Sequence, residues 1–578
     1  MPTESDSQKP LALLREGLSN VGKGDYKAAL TNLLEAFALE PGNHDIQFAL
    51  FDLLSHTDGY ELPPSFTKAI ALVARQGHHD IQLLAAIVRN QYNYSDDIDE
   101  ITEALRTCPM GEPLEETAAE AINEILGDPL VQLVLIDAIS ISPEIEDLLT
   151  NLRRFHLATW ADATLDTIAP AAGNADILPA LACQAFNTQY VFAIDDIEQE
   201  GVAKLNEAFL QDPDACSENL IALVASYTPL NILMETLPED VIDRMTGKAL
   251  GWQEVMRTLW RIQVLEPRYE TQIQPNLQKL TALPEIAQSP VREQYERYPY
   301  PRWQTVRTTN SIDLRDYLAS QFDASTLPET PEGPVNILFA GCGTGKQVIS
   351  LGRAINSKNI LAFDISATSL AYAYRKTQEH EMSNAHLALA DINLVGTWDA
   401  TFDFIICTGV LHHLDDVSKG LNALQQLAKP STSLLIALYS ERGRKASIAA
   451  QTFIKEKGLG DTLDDIRAIR DHIQALPFNH PMASIQKSQD FFSASGLHDY
   501  IFNKSELRYT PASLKSLLAD HGLRFIGFHS IRGDTKQKYQ ALFPSDTAMA
   551  DLDNWEKFEQ LHPETFDNMM QFWCCAQG

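Results

Sequence analysis

Ile337-Leu338-Phe339-Ala340-Gly341-Cys342-Gly343-Thr344-Gly345 is an apolar run that ends in glycine at every second position, and a second apolar run, Ile360 to Phe363, closes on Asp364. An apolar stretch that turns at once into such glycines suits a buried parallel strand bending tightly into a helix, with backbone close enough to touch a ligand. A carboxylate at the tip of the next strand can then accept both hydroxyls of a ribose. The pair marks a nucleotide-type cofactor site. A dinucleotide fold asks for G-x-G-x-x-G, so that pyrophosphate sits on the helix N-terminus. Here the spacing is G-x-G-x-G, and Lys346 stands where the last glycine would fall. Pyrophosphate is disfavoured.

Further along, Asp391 follows the apolar stretch Ala385 to Ala390, and Phe402 to Cys407 opens into Thr408-Gly409-Val410-Leu411-His412-His413-Leu414. Taken in order, these four motifs resemble the class I S-adenosylmethionine-dependent methyltransferases. That family has a glycine loop after its first strand, an acid after the second, an acid near the adenine after the third and a G-V-L-H-H-L-like segment after the fourth. The resemblance implies S-adenosyl-L-methionine as cofactor, with Ala340, Gly341, Cys342, Gly343 and Gly345 lining its methionine and adenosine portions. It implies that Asp364, beside Ile365, holds the ribose, that Asp391 takes the adenine amino group beside Ile392, and that Cys407, Thr408 and Gly409 lie under the sulfonium.

A sulfonium methyl is already activated, so positioning is the protein's main contribution. A lysine acceptor, with an unperturbed pKa of about 10.4, must first lose a proton by desolvation or to a nearby base. Tyr295, His412 and Tyr439 are the candidate catalytic residues, with His413 and Asp415 beside them. Each has a plainer role open to it: His412 and His413 as packing at a helix start, Asp415 and Asp416 as first-turn acids favourable to the helix dipole, Tyr439 as the cap of a strand at Leu434 to Leu438.

Upstream, Arg292-Glu293-Gln294-Tyr295-Glu296-Arg297-Tyr298-Pro299-Tyr300-Pro301-Arg302-Trp303 carries proline at alternate positions, which disfavours a helix and predicts an extended stretch bearing aromatic faces. An aromatic-proline linker would explain it as well as a cover over the cofactor. The Y-P-Y-P-R-W arrangement resembles one found just before the glycine loop in a bacterial methyltransferase group with helical N-terminal halves, and on that resemblance Arg302 joins the cofactor-binding set. The resemblance to that group extends over nearly the whole chain, and some of its members resemble protein-lysine methyltransferases acting on outer-membrane proteins.

A net charge of -33 argues against a nucleic-acid partner, which needs a basic footprint, and suits a basic acceptor. The acids concentrated at Asp96 to Asp128 and Asp195 to Glu200 are otherwise a solvated surface. Seven cysteines without C-x-x-C spacing predict neither a zinc site nor a disulfide framework, and no metal is expected. No stretch is long and apolar enough to insert in a membrane, and the polar Met1 to Pro10 lacks a secretory core segment, so the cytoplasm is the expected location. A homodimer is compatible with the chain.

At 578 residues several domains are expected. Gly24-Asp25-Tyr26-Lys27-Ala28-Ala29-Leu30, with Gly17 before and Leu33, Ala36 and Pro41 after, matches one tetratricopeptide unit, placed at 1–60 as a helical hairpin. Two further repeats are missing, so 61–285 reads as an irregular helical domain, with periodicity at Pro63 to Asn93 and Leu114 to Thr150 and buried helices at Leu152 to Thr159 and Leu181 to Glu198. Residues 286–334 form the proline-aromatic linker and cofactor cover, 335–440 with 510–578 the methyltransferase domain, and 441–509 a helical insertion capping the acceptor side. The expected fold is therefore α/β: a doubly wound, Rossmann-like methyltransferase domain preceded by an all-α domain containing the tetratricopeptide-like unit. Strands are expected near Val335 to Ala340, Asn359 to Phe363, Ala385 to Ala390, Phe402 to Cys407, Leu434 to Leu438, Leu523 to His529 and Gln571 to Ala576.

Function follows as methyl transfer from S-adenosylmethionine to a protein side chain such as lysine, with the helical half available to a protein or peptide acceptor. A small-molecule methyltransferase is the alternative, and a cofactor-binding scaffold the third reading. Asp490, Phe491, Phe492 and His498 could line the acceptor entrance or belong to a core, and Arg442, Arg444 and Lys445 bring positive charge to the start of the insertion.

Overall fold

The computed structural model describes residues 4–55, 62, 64–75, 79–92, 95–109, 112–162, 174–503, 506–531 and 533–577. Residues 1–3 of the N-terminal reading, the boundary at 60–61, Pro63 and Asn93 lie outside the described residues. The chain forms two compact units, Met1–Arg268 with Trp303–Arg307, and Tyr269–Arg302 with Thr308–Gly578.

The first unit is helical throughout its described residues. Its opening pair, Glu4–Gly22 and Tyr26–Leu39, meets where Gly17 faces Leu33, close enough that a Cβ on Gly17 would stand 2.9 Å from the leucine side chain. The helix expected at Leu181 to Glu198 is two: Ile177–Asn187, and Asp196–Gln211. Gln189 and Tyr190 take positive φ of 57° and 62° between them, and Asp195 opens the second helix with a capping box closed by Glu198.

The second unit is built on one sheet. Its strands are β1 (Gln278–Lys279), β2 (Val335–Ala340), β3 (Ser357–Asp364), β4 (Ala385–Leu389), β5 (Phe402–Thr408), β6 (Ala428–Ser440), β7 (Arg508–Tyr509), β8 (Leu523–Phe528) and β9 (Met569–Ala576). They lie in the order β1-β4-β3-β2-β5-β6-β9-β8, with β7 on the end of β6. All pairings are parallel except those of β9, which runs antiparallel between β6 and β8. The strands expected from apolar runs are all present. The two-residue β1 and β7 are too short for any period to betray, and β6 extends well upstream of Leu434 through Lys429, Pro430 and Ser431, which look like a loop.

Helices cross from β2 to β3, β3 to β4 and β5 to β6, while β4 and β5 are joined by the 3₁₀ turn Ile392–Thr397 where a helix is expected, and the winding direction reverses between β2 and β5. At that switch point the carboxyl ends of neighbouring strands diverge and leave a crevice. The core below it is apolar: Leu338, Ile405, Leu434, Ile436 and Phe572 are each almost fully buried, and Trp573 stacks on Phe404 with ring centroids 4.9 Å apart. Between β6 and β7, the insertion folds as helices Lys445–Lys457, Leu463–Gln474 and Ala494–Ile501, the last two joined through 3₁₀ turns.

Candidate functional site at the switch point

The glycine loop leaves β2 on left-handed backbone, with φ of +73°, +52° and +83° at Gly341, Gly343 and Gly345. Only glycine takes this conformation without strain, and close approach excludes a side chain as well. A Cβ would fall 2.3 Å from Val410 at Gly341, 2.6 Å from the Tyr300 carbonyl oxygen at Gly343 and 2.8 Å from Ala373 at Gly345. The loop thus brings together the ends of β2 and β5, the proline-aromatic segment and the helix Ala367–Glu379. Gly345 then starts the helix Lys346–Ala354. Gly409, after β5, also has positive φ (+76°), but nothing lies within 4 Å of its Cβ position, so the switch point is open there.

Asp364 ends β3 almost fully buried, and its carboxylate accepts from Gly343 N at 2.7 Å and Ser366 N at 2.9 Å. Burial pushes its carboxyl up, opposed by the N–H groups of Ser366, Gly343 and Ile365, while Glu296 adds to the rise. Each oxygen keeps lone-pair capacity for a hydroxyl donor. Asp391 caps the 3₁₀ turn Ile392–Thr397, accepting from Asn393 N at 2.9 Å, and its own N–H donates to Thr281 beside β1. Ile365 is half-buried next to Asp364, and Ile392 is buried behind Asp391. Ala340 and Cys342 flank the first glycine, Ala340 fully buried and Cys342 partly so, with burial holding its thiol neutral. Cys407 is enclosed in the apolar core, so it can offer a ligand only backbone, and the Thr408 hydroxyl is bonded to Gln347. A backbone cradle, a ribose-type acid and an open glycine across the switch point fit S-adenosylmethionine.

The proline-aromatic segment departs from the extended form expected of it. Residues Pro290–Arg297 are a helix with proline at its first position and Ser289 capping Arg292 N, both favourable at a helix start, and only the prolines from Pro299 on break it. Glu296 on this helix caps a second helix, accepting from Ala367 N at 3.1 Å and from Thr368 N at 2.9 Å, while the Tyr295 carbonyl accepts from Ser366 Oγ. A carboxylate facing a helix N-terminus is favoured by the helix dipole. These bonds fix the segment against the loop after β3. Farther along, Thr344 Oγ1 donates to the Pro301 carbonyl at 2.6 Å and Thr344 N to that of Tyr300 at 3.4 Å, so the segment also lies on the glycine loop. Arg302 sits with its guanidinium 6.0 Å from the Tyr372 ring.

Side chains from this segment meet the insertion. Tyr295 Oη donates to Asp499 Oδ1 at 2.8 Å and lies 3.4 Å from His413 Nε2. Tyr300 Oη donates to Asp490 Oδ1 at 3.0 Å. Tyr439, near the end of β6, accepts from Asn503 Nδ2 at 3.4 Å and stacks on His412 with ring centroids 3.7 Å apart. Burial, followed by the charges of His413 and Arg444, keeps His412 neutral. His412 is wholly enclosed, which fits packing better than proton exchange with solvent. Of the other residues singled out, Phe491 and Phe492 are core and His498 stacks on Tyr298. Asp416 caps the helix Val417–Gln426, and Arg444 is a buried partner of Glu506 at 2.6 Å. Asp499 and the Tyr300 hydroxyl carried no sequence signal: Asp499 stands on a short helix between His498 and Tyr500, and nothing in its spacing points to Tyr295.

Parts of the chain are similar to known proteins. Residues 333–477 match a methyltransferase domain family. An uncharacterized protein of Synechococcus is 28% identical over 302 residues, 49% of this chain and 71% of that one. An uncharacterized methyltransferase of Mycobacterium tuberculosis is 29% identical over 118 residues, 20% of this chain and 57% of that one. A solved structure of PKMT2 from Rickettsia typhi in complex with AdoHcy is 15% identical, with a TM-score of 0.35 over 43% of this chain and 50% of that one. The chain thus spans little more than half the length of the mycobacterial relative and half that of the Rickettsia protein. With the glycine loop, the acids and the strand order in place, residues 333–477 form a methyltransferase domain on a Rossmann-like sheet.

Proposed function

We propose that this protein transfers the methyl group of S-adenosylmethionine to a side-chain amine of a protein, with lysine the acceptor. The observation that carries the reading is the clamp at the switch point, where Gly343 N–H holds the Asp364 carboxylate and the Tyr300 to Pro301 backbone rests on the same loop. In the proposed site Asp364 accepts the ribose hydroxyls, Asp391 receives the adenine amino group, and backbone at Ala340 to Gly345 and Cys407 to Gly409 lines the rest. When bound, the cofactor supplies an activated methyl group. This chain contributes orientation, exclusion of water by the proline-aromatic segment, and a polar chamber on the acceptor side. The polar, ionisable character of that chamber and the net charge of -33 favour a basic acceptor over an apolar small molecule. The helical unit is then the surface that recruits the polypeptide.

Incubation of a cell lysate with the protein and methyl-labelled S-adenosylmethionine, followed by separation of protein from small molecules, tests this. Label in lysines of protein bands is expected. Label confined to the small-molecule fraction contradicts it.

A further inference from the structure

Asp490 and Asp499 are half-buried acids that the described residues leave without an ion-pair partner. Neither makes an ion pair with Lys, Arg or His, and no hydrogen bond reaches Asp499 Oδ2. The Arg444 guanidinium, whose charge acts on both carboxyls, is already spent on Glu506 and lies 4.0 Å from the Tyr439 ring, and that of Arg470 donates to the Phe491 carbonyl. Buried carboxylates ordinarily have cationic partners or are protonated. Both carboxyls are in fact pushed up to about 6, in each case chiefly by burial. Asp499 adds to the rise at Asp490, while the hydroxyls of Tyr300 and Ser488 and the charge of Arg444 oppose it. At Asp499 the Tyr295 hydroxyl and Arg444 oppose the rise and Glu506 adds to it.

The chamber is at the reacting end of the sheet. Tyr295 lies on the helix stitched to the loop after β3, where Asp364 stands, and the Tyr300 carbonyl accepts from Thr344 N on the glycine loop. His413 comes from the loop after β5 and Tyr439 from the end of β6, their rings 5.6 Å apart. A second sign of an incomplete site is His412 behind them. It is fully enclosed, yet neither ring nitrogen makes a well-formed hydrogen bond, the Ala437 carbonyl being the nearest backbone acceptor. Aromatic faces around an unpaired acid pair suit a primary ammonium group, which gains charge pairing from the acids and cation–π attraction from the rings.

We infer that Asp490 and Asp499, oriented by the hydroxyls of Tyr300 and Tyr295, form the binding pocket for a protonated primary amine and take its proton ahead of methyl transfer. This rests on the methyltransferase reading above. The N–H bond of the ammonium breaks, its proton passes to the Asp499 carboxylate, and the electron pair stays on nitrogen. That pair forms the new N–C bond as the C–S bond of the donor breaks and its electrons remain on sulfur as a neutral thioether. The aspartic acid returns its proton to water.

The test is calorimetry on the full chain with S-adenosylhomocysteine and with two probes, N-acetyl-lysine methylamide and its uncharged isostere N-acetyl-norleucine methylamide. The lysine probe is expected to bind at least tenfold tighter than the norleucine probe, and D490N/D499N is expected to lose that preference while its S-adenosylhomocysteine affinity stays within twofold of wild type. A thermal midpoint no lower than wild type shows that the variant is folded. A double variant that keeps the preference, or a wild type that shows none, overturns the pocket. Failure of S-adenosylhomocysteine to bind wild type while the lysine preference persists overturns the methyltransferase reading and leaves the amine pocket standing. The pH profile gives a second readout. In wild type the rate is expected to rise through about 6 as the acid pair ionises and then level. In D499N the rising limb is expected to move toward the amine's own pKa of about 10, and an unmoved limb contradicts Asp499 as the proton acceptor.

Discussion

The proposed cofactor side and the proposed acceptor side of the switch point are built by different means. On the proposed cofactor side the candidate groups are backbone and strand-end carboxylates, each fixed by residues a few positions away along the chain or by the adjoining strand. On the acceptor side the groups are side chains that meet across long separations: Tyr295 with Asp499, Tyr300 with Asp490, Asn503 with Tyr439. The first is a property of local sequence, because left-handed glycines and a strand end determine where N–H groups point. The second exists only once the sheet has formed and the insertion has folded over it. On the proposed reading, methyl-donor binding is carried by the sheet, and acceptor choice by what is laid on it.

If that division holds, substitutions should separate donor binding from acceptor handling. The largest effect is expected at Asp364→Ala, which removes the ribose-type acid and should weaken S-adenosylmethionine binding at least a hundredfold in calorimetry. Next comes Gly343→Ala, whose Cβ would meet the Tyr300 carbonyl oxygen on backbone that disfavours any side chain. It should weaken binding tenfold or more and, by dislodging the segment that carries Tyr300, also reduce transfer at saturating donor. A smaller effect is expected for Tyr300→Phe: the acceptor KM should rise several-fold with donor affinity unchanged, because only the hydroxyl held by Asp490 is lost. Loss of donor binding in Tyr300→Phe would merge the two sides and break the comparison.

The smallest effect is on stability, and its sign follows from the raised carboxyl of Asp490. In the folded protein this group titrates near 6 rather than 3.8, so the folded state binds the proton more tightly than the unfolded one. Its stabilising contribution is present below about pH 4 and is lost as pH rises through about 6. Asp490→Asn should therefore unfold at a temperature a few degrees above wild type at pH 8, an effect on the order of 2 kcal/mol, and show little difference at pH 4. Thermal scans at the two pH values check this.

The same contrast explains what could be read from the sequence. Ile337 to Gly345, Asp364 and Asp391 announce themselves because apolar runs, glycines and acids lie close together in the chain, and the parallel, doubly wound character follows from alternating strands and helices. The helix Pro290–Arg297 was hidden by the prolines just beyond it, although Ser289 and Pro290 are good starting residues for a helix. β1 and β7 were hidden by being two residues long. The partners of Tyr295 and Tyr300 were invisible because a hydroxyl 204 or 190 positions from its carboxylate leaves no periodic trace.

Titration of S-adenosylmethionine into the wild-type protein and into Asp364→Ala, with NAD as control, bears most directly on the donor cradle. Binding of one S-adenosylmethionine per wild-type chain, lost in the variant, with no heat from NAD, is the expected result. Equal affinity in the two proteins, or NAD bound in place of S-adenosylmethionine, would contradict it.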